Sequence, residues 1–72
     1  MFKQLKVITD TGVFKTIGIY LECIEIVEED TDRTCFIICN IIDERVVYNI
    51  FMSAEKMIAL ISLNQFTASV EN

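Results

Sequence analysis

Arg33-Thr34-Cys35-Phe36-Ile37-Ile38-Cys39-Asn40-Ile41-Ile42-Asp43-Glu44-Arg45-Val46-Val47-Tyr48-Asn49-Ile50-Phe51-Met52 is a long, strongly apolar segment and the centre of the chain's architecture. It reads as a β-hairpin, Arg33 to Ile42 and Arg45 to Met52, joined across Asp43-Glu44. A strand with one wet face alternates apolar with polar residues, yet Cys35 to Ile42 scarcely alternates. Both faces of the hairpin therefore want cover. A chain of 72 residues is too short to supply two covers, so the composition points to a protein partner or to a second copy of the same chain.

Working back toward the N-terminus, Leu5 and Val7 lie in a first β-rich run that Asp10-Thr11-Gly12 interrupts. Three loop residues ending in Gly suit a type I turn followed by a left-handed residue, which Gly adopts without a Cβ penalty. Strands one and two are expected to pair with Thr9 opposite Val13. The second run, Val13 to Val27, is long for one strand and changes apolar phase: Ile17, Ile19, Leu21 and Cys23 share one face, Ile24 and Ile26 the other. Gly18 within it suggests a bend or bulge, and a long strand that bends can serve two parts of a curved sheet.

With Asp30 at the centre of the next loop, Cys23 falls opposite Ile37, and carrying the register across Asp43-Glu44 sets Ile37 opposite Ile50. One face then collects Leu5, Val7, Val13, Ile17, Ile19, Leu21 and Cys23 with Cys35, Ile37, Cys39, Ile41, Val46, Tyr48, Ile50 and Met52. The reverse face still carries Tyr20, Ile24, Ile26, Phe36, Ile38, Ile42, Val47 and Phe51, an apolar set larger than a solvated face usually holds. A one-residue slip would exchange these faces.

Beyond the hairpin, Ser53 is placed to cap a helix and Glu55 sits where the helix dipole favours negative charge. Ala54, Met57, Ile58 and Ile61 then recur at three- and four-residue spacings, predicting an amphipathic helix from about Ala54 to Leu63. The fold class is α+β: a curved four-stranded antiparallel β-meander, barrel-like in its curvature, followed by one C-terminal α-helix. Residues 1–66 make a single β-β-β-β-α domain, Phe66 folding back, and residues 67–72 a frayed C-terminal tail. The order of elements resembles that of small transcriptional-coactivator and whirly single-stranded-DNA binders; element order by itself transfers no function.

Composition excludes several function classes. A hydrophobic fraction of 53% argues against disorder, and no apolar run reaches the roughly 18 residues of a membrane span. With no His in the chain, the Ser-His triad and the Cys-His nucleophile pair are absent. Gly12 and Gly18 belong to no phosphate-binding loop. Cys35 and Cys39 on one strand lie about 13 Å apart, too far to hold one ion or bridge each other, so no cofactor, metal or catalytic residue is nominated. An odd count of 3 Cys and the lack of a signal-peptide pattern point to a cytoplasmic protein with reduced, buried thiols.

The formal charge is -5, which opposes a polyanionic nucleic-acid partner. Glu22, Glu25, Glu28, Glu29, Asp30 and Asp32 crowd one short window of the chain, so electrostatic function should be sought there. The functional expectation is a small acidic non-enzymatic protein-binding module, a homodimeric inhibitor or adaptor of a larger macromolecule, of a size that suits an accessory protein of a virus or mobile element. Tyr20, Ile24, Phe36, Ile38, Val47 and Phe51 would form its apolar interface. Glu28, Glu29, Asp30 and Asp32 would form its acidic one, facing a basic site on the partner. The alternative is a single-stranded nucleic-acid binder, with Tyr20, Phe36 and Phe51 stacking on bases and Lys3, Lys6 and Arg45 on phosphates.

Overall fold

A computed structural model describes the backbone of residues 1–71 and the side chains of residues 1–63. The chain forms β1 (Phe2–Ile8), β2 (Phe14–Tyr20), a 3₁₀ turn (Leu21–Cys23), β3 (Ile24–Glu29), β4 (Cys35–Ile41), β5 (Glu44–Ile50) and α1 (Ala54–Glu71). The class is α+β as expected, but the sheet has five antiparallel strands in the order β2-β1-β5-β4-β3 and is open, with β2 and β3 as its edges. The four-strand, barrel-like expectation is corrected at one place. The long second run breaks at Leu21–Cys23, where Leu21 turns inward to 1% exposure. Its backbone N–H bonds to the Met1 carbonyl (3.0 Å) while its own carbonyl accepts from Ile24. Burying Leu21 is what interrupts the ladder. Three residues span no more than about 10 Å, so the sheet must curl to bring the end of one edge strand close to the start of the other.

The β1–β2 hairpin forms as the sequence implies. Thr9 donates to the Val13 carbonyl (2.9 Å), Gly12 sits at φ 80, and the pairing from Phe2–Tyr20 to Ile8–Phe14 is unbroken. Gly18 is therefore not at a bulge. It faces Gln4, and a Cβ there would come 2.3 Å from Cζ of Phe2, so the glycine makes a seat for the Phe2 ring. The irregularity lies instead in β3, where the register against β4 shifts between Ile24 and Ile26.

Two registers also move. β5 pairs with β4 as Cys35–Ile50, Ile37–Tyr48 and Cys39–Val46, which puts the turn at Ile42-Asp43 rather than Asp43-Glu44. Both turn residues have positive φ, 50° and 63°, the type I′ geometry whose twist matches that of paired strands. β3 pairs with β4 as Val27–Ile37 and Glu29–Cys35, so the preceding loop centres on Asp32 rather than Asp30. Each of these shifts is an even number of residues, which leaves the facing of β4 and β5 as expected because side chains alternate with period two.

Leu5, Val7, Ile19, Leu21, Cys35, Ile37, Cys39, Ile50 and Met57 form the buried core. Val13, expected there, is 60% exposed because it lies in the β1–β2 turn. The two halves of the sheet meet at Val7–Ile50, reinforced by the Phe51 N–H on the Lys6 carbonyl (2.9 Å). Helix α1 covers the inner face over β3, β4 and the 3₁₀ turn. Ser53 caps it, its hydroxyl accepting from the Lys56 N–H (3.2 Å) and its carbonyl from Met57 (3.0 Å). Met57 is fully buried and Ala54, Leu60 and Ile61 pack beside it, whereas Ile58 of the predicted stripe is 52% exposed. The backbone of α1 continues to Glu71, past the expected helix end at Leu63 and into the stretch 67–72 expected as a tail; the expected fold-back of Phe66 concerns a side chain outside the described residues. Among the described residues no helix is long and apolar enough to cross a membrane.

Candidate interaction surface

Alternation along β4 sends Cys35, Ile37 and Cys39 into the core and Phe36 and Ile38 to the opposite side, away from α1. Pairing then assembles an outer row, Ile26–Ile38–Val47, and beside it Glu28–Phe36–Asn49. Val47 is 59% exposed, while Phe36 and Ile38 are half-buried by their neighbours. A groove of about 440 Å³ runs beside this row, lined by Ile8, Lys15, Phe36, Val47 and Asn49 among others. Asn49 Oδ1 is buried there without a hydrogen-bond donor, an arrangement that costs about 1–3 kcal/mol in a closed interior.

Four rings extend the outer face across β1 and β2. Phe14 meets Phe51 edge-to-face at 5.3 Å, and Phe2 meets Tyr20 in the same manner at 5.1 Å. Lys6 Nζ lies 5.4 Å from the Phe14 centroid and 6.0 Å from that of Phe51, close enough for a cation–π attraction. Of the residues expected to form the apolar interface, Tyr20, Phe36, Ile38, Val47 and Phe51 thus lie away from the helix-covered core. Ile24 does not: it packs against the core and lines a groove with Val27, Ile58 and Ile61. The bulge after Ile24 reverses its facing, and Ile26 takes the outer position. Phe2 and Phe14 were missed because isolated phenylalanines beside lysines gave no contiguous apolar run; their cross-strand pairing is the signal that links them.

The four acidic candidates do not share one surface. Glu28 lies across from Phe36 at the margin of the outer face, while Glu29 and Asp32 border a hollow beside Ser53, Ala54 and Glu55 at the start of α1. The Asp30 carboxylate accepts from the Thr34 hydroxyl (2.9 Å), which lies 2.6 Å from the Thr31 hydroxyl. The backbone N–H groups of Asp30 and Thr31 bond to the Thr34 carbonyl, so the loop is internally knit. Among the described residues no three His, Cys, Asp or Glu side chains converge on a point that could hold a metal ion.

Elsewhere, the N-terminal ammonium pairs with Glu22, and Arg45 approaches Glu25 at 3.9 Å across an exposed edge, a type of pair that contributes little. Cys23, Cys35 and Cys39 are free thiols. Burial, and then the nearby Cys23, pushes the Cys39 thiol up to about 11. Burial, and then Asp30, raises that of Cys35. Both are protonated near neutral pH, which makes them poor nucleophiles and poor metal ligands.

No family model, curated protein or solved structure matches the chain.

Proposed function

We propose that this chain is a non-enzymatic protein-binding module, homodimeric, that acts as an inhibitor or adaptor of a larger macromolecule. The observation that carries the reading is the outer face: α1 occupies the inner side, and among the described residues no second layer lies over Ile26, Ile38, Val47, Phe36, Phe14 and Phe51. Contiguous apolar surface of this kind is typical of interaction sites. Glu28, at its margin, adds negative charge that would steer a basic target, and Asp32 with Glu29 extends that charge around the loop. Three free thiols suit a reducing, cytoplasmic compartment, and the size fits an accessory protein of a virus or mobile element.

The test is affinity capture from a host lysate with the native protein, with Val47→Lys, and with the four acidic residues reversed in charge. Val47 is exposed, so its lysine variant should keep the native far-UV circular dichroism while losing a stoichiometric partner. Capture of the same partner at the same yield by Val47→Lys would refute the reading. Charge reversal should slow association and invert its salt dependence, added salt slowing the native chain and speeding the reversed variant, as loop steering of a basic target requires.

A second reading, single-stranded nucleic-acid binding, draws on the placement of Lys6 against Phe14 and Phe51, which joins a cation to two exposed rings. It requires a salt-sensitive shift of a labelled oligonucleotide, and no shift in low salt removes it.

A further inference from the structure

The two open edges of the sheet are built differently. β3 carries Glu25, Glu28 and Glu29, contains a register shift, and runs into the acidic loop, which are the usual devices that keep a strand edge from pairing with another chain. β2 has no carboxylate, proline or bulge; its one charge is Lys15, and its seven residues pair with β1 without interruption.

The hydrogen-bond phase of β2 follows from its two ends. Val13 accepts from Thr9 at one end and Leu21 donates to Met1 at the other. Antiparallel pairs alternate between bonded and non-bonded, so Lys15, Ile17 and Ile19 spend their backbone groups on β1. Phe14, Thr16, Gly18 and Tyr20 then turn their N–H and C=O groups to the open edge. A second copy related by a two-fold axis must bring these same residues opposite one another. The register with full overlap centres on Ile17: Phe14 pairs with Tyr20 and Thr16 with Gly18, each twice, forming about eight hydrogen bonds.

Side-chain chemistry agrees with that register. Ile17 meets its own copy, Lys15 meets Ile19, and no like charges stand opposite. The same operation on β3, pairing the outward-directed backbone groups of Val27 and Glu29, sets Glu28 directly against its own copy. On the outer face, Phe14 of one copy comes beside Tyr20 of the other. The Phe51–Phe14 pair of one protomer then continues into the Tyr20–Phe2 pair of its partner.

We infer that two copies of this chain join edge to edge through β2, antiparallel about Ile17, into one continuous sheet whose two outer faces form a single aromatic surface. The inference rests on the homodimeric reading above and names its contact. It also assigns the two edges opposite roles: β2 is satisfied by the partner copy, and β3 is kept free by its glutamates.

The test is sedimentation equilibrium of the native chain and of Thr16→Pro. Thr16 directs its N–H outward, so proline there removes an intermolecular donor and leaves the bonds to β1 intact. The native chain should sediment at about twice its 8.3 kDa mass. Thr16→Pro should sediment as a monomer with unchanged far-UV circular dichroism, its self-association at least a hundredfold weaker. If that variant fails to fold, Ile17→Cys in a Cys23→Ser background replaces it. Diamide then takes two electrons and two protons from the paired thiols, leaving a disulfide-linked dimer and a hydrazine, whereas Ile26→Cys in the same background stays uncrosslinked.

A monomeric native chain, a dimeric Thr16→Pro, open-ended assemblies of the head-to-tail kind, or cross-linking through Ile26→Cys instead of Ile17→Cys would each overturn the inference. The two proposals fail separately. A monomeric Thr16→Pro that still captures the target upholds both the edge contact and the outer-face reading, while a dimeric native chain that captures nothing leaves only the edge contact standing.

Discussion

Replacing Ile42 with Asn and Asp43 with Gly should stabilise the protein, and the size of the gain follows from the turn. Both residues hold positive φ, 50° and 63°. Left-handed backbone costs an L-residue roughly 1–2 kcal/mol, with a β-branched side chain at the unfavourable end. Ile42 is 92% exposed, so its removal forfeits almost no packing. Asn tolerates the conformation, and Ile42→Asn should return about 1 kcal/mol. Asp43→Gly returns less, because Asp already accepts the region and Gly frees the unfolded chain by about 0.4–1 kcal/mol. The double variant should gain about 1–1.5 kcal/mol.

For a domain of this size each kcal/mol moves the thermal midpoint by about 4–8 °C, so a rise of roughly 5–10 °C is expected. In urea, at a slope of about 1 kcal/mol per molar, the midpoint should rise by about 1 M at unchanged slope, followed by far-UV circular dichroism. The single variant Ile42→Asn discriminates sharply. Were the turn at Asp43-Glu44, Ile42 would be a strand residue, where Asn is disfavoured, and the substitution would lower the midpoint. A midpoint that falls, or does not move, refutes the type I′ turn at Ile42-Asp43.

Three further outcomes are expected. Met57→Ala removes the fully buried anchor of α1 and should cost about 2–5 kcal/mol, read as a large fall in urea midpoint; a loss below about 1 kcal/mol would mean the helix is not packed through Met57. Gly18→Ala should change stability by less than about 1 kcal/mol, since the exposed Phe2 ring can swing away and Ala repays part of the glycine entropy. Its mark should be loss of the Phe2–Tyr20 contact in nuclear Overhauser spectra. Finally, the Cys39 thiol, raised from 9.0 to about 11, keeps its proton where the unfolded chain has lost it. Its contribution is complete below pH 9 and is lost as pH rises through about 11, with a slope of up to about 1.4 kcal/mol per unit. The urea midpoint should fall more steeply over that interval for the native chain than for Cys39→Ala.

Much of the candidate surface was legible because facing depends only on parity. Cys35, Ile37 and Cys39 point inward and Phe36 and Ile38 outward in any register displaced by an even number of residues, so the errors in both hairpin loops left these five where alternation put them. Ile24 was misplaced because a bulge changes parity, and a bulge depends on what the strand meets across the ladder rather than on its own composition. The aromatic contacts of Phe2 and Phe14 depend likewise on a partner strand, and Phe51 reaches Phe14 only because β5 lies against β1.

Local sequence carried the elements whose interactions are short in range. The Asp10-Thr11-Gly12 turn, the Thr9–Val13 pairing, the Ser53 cap and the start of the helix each involve groups a few residues apart, with strong preferences of their own. The strand break at Leu21, the turn at Ile42-Asp43, the β1–β5 junction and the choice of covered face came from long-range packing. Period-two alternation is satisfied equally by several registers, and burying Leu21 or seating Met57 selects among them only once distant strands have met. For the same reason composition could say that the hairpin wants two covers, while the folded chain shows that its own helix provides one.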